Sequence, residues 1–157
     1  MFDTVSGLPV HVLVVHAVVI GLPVMAVVTV AISLRPAWRR SAAVWVGLVN
    51  VLVLAAAFVA KESGERLQAR LSRVTDQPVA QDHAELGALV PWFAVALLVA
   101  VVVVHLAGRR GGPLVPVAIG LSVVVALASI GWTVAVGHSG AVAVWQDVVT
   151  STSAAGS

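Results

Sequence analysis

Five histidines are the side chains in this sequence best suited to coordination or proton chemistry near neutral pH, and four of them sit at the edges of long apolar runs. His11 and His16 open a stretch that is otherwise lipid-soluble to Leu34, beginning Gly7-Leu8-Pro9-Val10-His11-Val12-Leu13-Val14-Val15-His16-Ala17. His83 precedes a third apolar run, and His138 closes a fourth within Gly137-His138-Ser139-Gly140. An ionisable side chain in such a segment is costly to bury and marks a functional site by default. Imidazole is the commonest protein metal ligand, and two facing imidazoles hold a haem iron from both sides. The cofactor candidates are therefore His16, His138, His11 and His83, for b-type haem. For a transition-metal ion they are His16, His138 and His83. Glu85 and Glu65 are the carboxylates placed to orient a histidine ring.

Geometry limits the set. Residues five apart on a regular helix are rotated by ~140° and separated by ~7.5 Å, so His11 and His16 do not chelate one ion together. His16 lies ~10 Å inside the apolar start and needs a polar partner more urgently. The expected pair is thus His16 with His138. Plainer roles exist for each group: His11 as an interfacial residue with its tip in water, His83 as a helix cap, and His138 as a cation at a helix C-terminus. Glu62, Glu65 and Arg66 also read as solvated helix-surface charges. His105, four residues before Arg109, reads as a snorkelling side chain.

The elements that must carry these residues follow from composition. Of 157 residues, 60% are hydrophobic and 10% charged, where a soluble domain has about a quarter charged. The chain belongs to the membrane class. It has no cysteine, which excludes disulfides, thiolate metal sites, iron–sulfur clusters and covalent c-type haem. The small excess of nine Lys and Arg over seven Asp and Glu is no nucleic-acid footprint. Four apolar runs, about 9–34, 42–60, 84–106 and 114–137, are long enough to cross the ~30 Å hydrocarbon core. The expected fold is all-α: a four-transmembrane-helix bundle forming a single domain over 1–150, with a disordered tail at 151–157. Pro23 and Pro91 should bend their helices. Between helices two and three lies one longer polar loop, whose Lys61–Leu71 portion reads as a helical extension. Asp76-Gln77-Pro78 is a turn signal, and Asp82 with Glu85 reads as a capping box for the third helix. Ala56, Ala60 and Gly64 form a small-residue row on one helix face. Asn50 reads as an interhelical hydrogen bond. Trp38, Trp45 and Trp145 fit interface belts, and Trp92 and Trp132 fit interior packing.

Arg35, Arg39 and Arg40 crowd the first connection, and Arg109 and Arg110 the third. The positive-inside rule puts these two tight turns in the cytoplasm and both termini outside. The expected location is the bacterial cytoplasmic (inner) membrane, multi-pass. With an even number of spans, four histidines converge on one face whichever side is outside.

These residues resemble a bacterial four-span membrane family known as domain-of-unknown-function family 2231. Its members open with a His-Pro-x-x-Val-His-Phe-Pro pattern. Here the corresponding stretch is His11-Val12-Leu13-Val14-Val15-His16-Ala17-Val18, which keeps both histidines and their spacing while Pro, Phe and Pro are replaced. The resemblance continues at Ser63-Gly64-Glu65, at His83-Ala84-Glu85-Leu86-Gly87 and at Gly137-His138-Ser139-Gly140. It implies a four-span fold. Some relatives joined to c-type cytochrome domains imply a redox setting by association alone.

The functional expectation is a membrane protein binding b-type haem or a transition-metal ion for electron transfer or metal handling. A scaffold or assembly subunit is the alternative, and a small transporter component ranks below both. No catalytic triad, phosphate loop or HExxH pattern is present, so no independent catalytic activity is expected. The expected partners are the lipid bilayer and redox or other membrane proteins, and no nucleic acid.

Overall fold

The structure, a computed structural model, describes residues 4–5, 8–73 and 78–155. Two residue pairs at the start form a minimal antiparallel ladder, β1 (Thr4–Val5) with β2 (Leu8–Pro9), pairing Thr4 with Pro9 and Val5 with Leu8. Six helices follow: α1 Val10–Leu34, α2 Pro36–Ser41, α3 Ala43–Leu71, α4 Pro78–Ala88, α5 Val90–Arg110 and α6 Leu114–Ala155. The architecture is an all-α bundle with four stretches long and apolar enough to cross a membrane: Val10–Leu34, Ala43–Arg70, Gln81–Arg110 and Leu114–Trp145.

Each boundary has a local cause. Pro36 disfavours helical backbone at Arg35, which is extended, and α2 restarts with the proline in its first turn. The third span has a one-residue break: α4 ends at Ala88 and α5 starts at Val90 with Pro91 in its first turn, while Leu89 between them keeps helical backbone angles. Gly111 and Gly112, with φ of 68° and 62°, make the turn from α5 to α6 in backbone that other residues resist. α1 continues through Pro23.

Helix α1 packs beside α3 and α6, and α5 completes the ring from the opposite corner by packing on the same two helices. The core is small and aliphatic. Leu22, Ala26, Leu97, Ala100, Val104 and Ala118 are all but sealed. Ile20, Val27, Leu52 and Leu127 point outward and are exposed, as lipid-facing side chains are. Hydroxyls fill the remaining contacts: Ser122 Oγ donates to Ser33 Oγ at 2.9 Å between α6 and α1, and Thr29 Oγ1 donates to the Met25 carbonyl at 2.7 Å.

Several expectations are corrected. Asp82 caps nothing; it lies inside α4 and is exposed, so no capping box opens the third span there. Asn50 is buried, but its Nδ2 donates to Val46 of its own helix, where an interhelical bond was expected. Trp92 is exposed, whereas Trp132 is half-buried and stacked on Phe93 with ring centroids 5.1 Å apart. α3 carries the Lys61–Leu71 extension without interruption. The tail from Ser151, expected to be disordered, is helical as far as Ala155. Of the Asp76-Gln77-Pro78 turn, Asp76 and Gln77 lie outside the described residues.

Candidate functional site

The bundle has two unlike ends. α1 begins, α3 ends, α4 begins and α6 ends at one, the terminal end. α2 and the Gly111–Gly112 turn lie at the other. At the terminal end the break before Pro91 puts α4 against α6 and α3. The packing that seals the core at Ala94, Leu97 and Val101 does not continue there, and a cavity of about 360 Å³ opens between α1, α3, α4 and α6. Most of its wall is aliphatic: Val15, Val18, Ala57, Val90, Val136 and Ala143 among others. The polar lining includes His11, His83, Lys61, Glu65 and Gln68. A cavity of this size, apolar with a few convergent polar groups, is the usual form of a small-molecule site.

Both lining histidines are held in the same manner. His11, one residue into α1, places Nδ1 2.9 Å from the carbonyl oxygen of Ala60 on α3. A carbonyl only accepts, so Nδ1 carries the proton and donates. The ring lies over Gly64, where a Cβ would stand 3.0 Å from His11 Cε1. On α4, His83 places Nδ1 3.0 Å from Ser139 Oγ of α6. That hydroxyl also lies 2.9 Å from the Val136 carbonyl, and when it donates there it accepts from the Nδ1–H tautomer of the imidazole. Its ring lies over Gly140, where a Cβ would stand 2.9 Å from His83 Cε1. In both rings Nδ1 faces a fixed oxygen, and His83 also bonds the backbone of Val136. Trp132 adds a second tie between α6 and α4, donating Nε1–H to the Leu86 carbonyl at 3.0 Å.

The other sequence candidates lie elsewhere. His16 is exposed, and its Nδ1 donates to the Val12 carbonyl of its own helix at 2.6 Å. His138 is exposed on α6. Neither lines the cavity, and among the described residues no hydrogen bond joins His16 to His138. The reason is rotational: the five-residue spacing that separates His11 from His16 turns the second ring away once the first faces inward. Glu85 is exposed and bonds no histidine, and Glu65 pairs with Lys61 one turn back on α3. Half-buried His105, near the far end, leaves a buried Nδ1 without a partner. Among the described residues no group of three or more His, Asp or Glu side chains is arranged to hold a metal ion.

The model of a family described as "predicted membrane protein (DUF2231)" matches residues 7–153. This chain belongs to the DUF2231 family. No curated protein and no solved structure matches it. In this DUF2231 chain four separated segments meet at the cavity: His11 near the start, Gly64-Glu65 on α3, His83-Ala84 with Gly87 on α4, and Gly140 on α6. Sequence reasoning missed Ser139 and the two glycines as working parts of the site. The signal was present in Gly137-His138-Ser139-Gly140, where the histidine drew attention and the two residues after it meet the His83 ring.

Proposed function

We propose that this integral membrane protein is a binding module whose ligand occupies the cavity at the terminal end and is held by Nε2 of His11 and His83. The ligand class is a metal centre that brings most of its own ligands, b-type haem, and the role is electron transfer. One observation carries the reading: both cavity histidines hold Nδ1 against a fixed oxygen, and in the Nδ1–H tautomer each keeps its Nε2 lone pair for a ligand. That outer hydrogen bond is the usual companion of a metal-ligating imidazole, because it sets the tautomer and raises basicity. His11 and His83 would hold the iron of such a group, which would supply electron-transfer chemistry, whereas a bare ion needs more donors than two. The aliphatic wall suits a porphyrin. The arginine-dense turns support an orientation with both termini outside the cytoplasm, in a bacterial inner membrane.

The test is reconstitution of the detergent-purified protein with haem, followed by its absorption spectrum. Wild type should give a Soret band that shifts on reduction. His11→Ala and His83→Ala should each lose the low-spin spectrum, while His16→Ala and His138→Ala keep it. A colourless wild-type protein after haem addition, or an unchanged spectrum in both cavity variants, overturns the reading.

A further inference from the structure

The end of the bundle away from the cavity carries a charge problem that the protein does not solve internally. Arg35, Arg39, Arg40, Arg109 and Arg110 lie in its two connections, and neither connection contains Asp or Glu. All seven acidic residues belong to other parts of the chain: Asp3 before α1, Glu62 and Glu65 late in α3, Asp76 between α3 and α4, Asp82 and Glu85 within α4, and Asp147 late in α6. The ion pairs among the described residues, Lys61–Glu65 and Arg66–Glu62, are both on the second half of α3.

Two of these arginines are locked onto backbone. Arg39, only 8% exposed, donates Nη1–H to the Ser33 carbonyl at 2.6 Å, and its Nε is buried without a partner. Arg40 donates Nε–H to the Gly108 carbonyl at 2.8 Å. Both carbonyls lie in the last turn of a helix, α1 and α5, where a cation is favoured. The second bond has a consequence for placement. It fixes the Arg40 guanidinium beside the residue that precedes Arg109, at the helix end whose backbone carries Arg109 and Arg110. All three are exposed and none has a carboxylate. With Nε committed, the two terminal amino groups of Arg40 remain for an anion, in the fork geometry that matches phosphate.

We infer that Arg40, Arg109 and Arg110 form a seat for the phosphate of an anionic lipid headgroup, braced by Arg39. A lipid is favoured over dissolved phosphate by the aromatic residues at the same end. Trp38 is exposed and stacked under Arg35, 4.4 Å from guanidinium carbon to ring centroid, and Trp45 near the start of α3 is exposed as well. Exposed tryptophans at a span end mark headgroup level, where each basic residue adds about a factor of five to anionic-lipid affinity.

The experiment is native mass spectrometry of the intact detergent-released protein with phosphatidylglycerol, phosphatidylcholine or inorganic phosphate added. Wild type should retain phosphatidylglycerol in preference to phosphatidylcholine, and inorganic phosphate should not displace it. The variant R109Q/R110Q, which leaves the Arg39 and Arg40 bonds to backbone intact, should bind phosphatidylglycerol about thirtyfold more weakly. R66Q/R73Q, at the other end, should bind as wild type does. Equal retention of the two lipids, unchanged binding in R109Q/R110Q, equal weakening in R66Q/R73Q, or displacement by inorganic phosphate each overturns the assignment.

Discussion

The imidazole of His11 and the backbone carbonyl of Ala60 are joined at 2.9 Å across the contact between α1 and α3, forty-nine positions apart in sequence. The bond ties the first turn of the first span to the point where the second leaves its apolar run. It also decides which ring nitrogen carries the proton.

Loss of this bond should be visible without any ligand. His11→Ala removes a half-buried hydrogen bond and the ring that covers Gly64, and should lower stability by about 1–2 kcal/mol. His16→Ala removes an exposed ring bonded within its own helix, and should stay within about 0.5 kcal/mol of wild type. Thermal unfolding of the two variants in one detergent compares them. Equal losses would mean that the Ala60 contact contributes nothing.

Gly64→Ala and Gly140→Ala separate the site from the fold. Each new methyl group meets the far edge of an imidazole, at 3.0 and 2.9 Å respectively, and a side-chain tip moves more readily than backbone. Both variants should melt near the wild-type temperature while haem affinity falls by about 10–100-fold, the usual effect of disturbing what orients a ligand. Titration of each variant with haem, followed by absorbance, measures it.

Gly108→Ala should do the opposite. Its Cβ would stand 2.8 Å from Arg39 Cβ and 3.0 Å from the Arg39 carbonyl carbon and oxygen, so helix α2 itself has to move. Alanine normally gains up to about 1 kcal/mol over glycine within a helix. Here overpacking outweighs that gain, and the expected net loss is about 1–3 kcal/mol in a detergent melt. Haem affinity at the opposite end should be unaffected.

Orientation is tested with reporter fusions. Fusions after Arg40 and after Arg110 should be active only as cytoplasmic reporters, because dense arginines beside a span stay inside. An extracytoplasmic signal at either position reverses the assignment.

The spans were legible because twenty-odd apolar residues between charged turns admit few other structures, and the break near Pro91 was legible because proline removes a helical hydrogen bond. The site was legible only in part. His11 and His83 were both candidates, but depth in the membrane was weighed more heavily than rotation about the helix, so His16 and His138 were expected to meet. A hydropathy pattern reports how deep a residue lies. Which way it faces depends on neighbours such as Ala60, Ser139 and Gly140, which carry no charge and no hydrophobic signal. Asn50 shows the same limit: its burial was readable, and its preference for the carbonyl one turn back was not.

Helices α3 and α6 contain 29 and 42 residues, about 43 and 63 Å at 1.5 Å per residue, and both overrun the ~30 Å hydrocarbon layer. Measured from their starts at the arginine end, they leave it near Lys61 on α3 and Val134 on α6. The cavity wall runs from Ala57 to Gln68 on one helix and from Thr133 to Val144 on the other, across that boundary. The chamber therefore stands in a gradient of dielectric constant, with one end in oil and the other toward water. A redox centre placed there would have its potential set in part by the lipid side, yet remain within reach of a soluble electron carrier that never enters the bilayer.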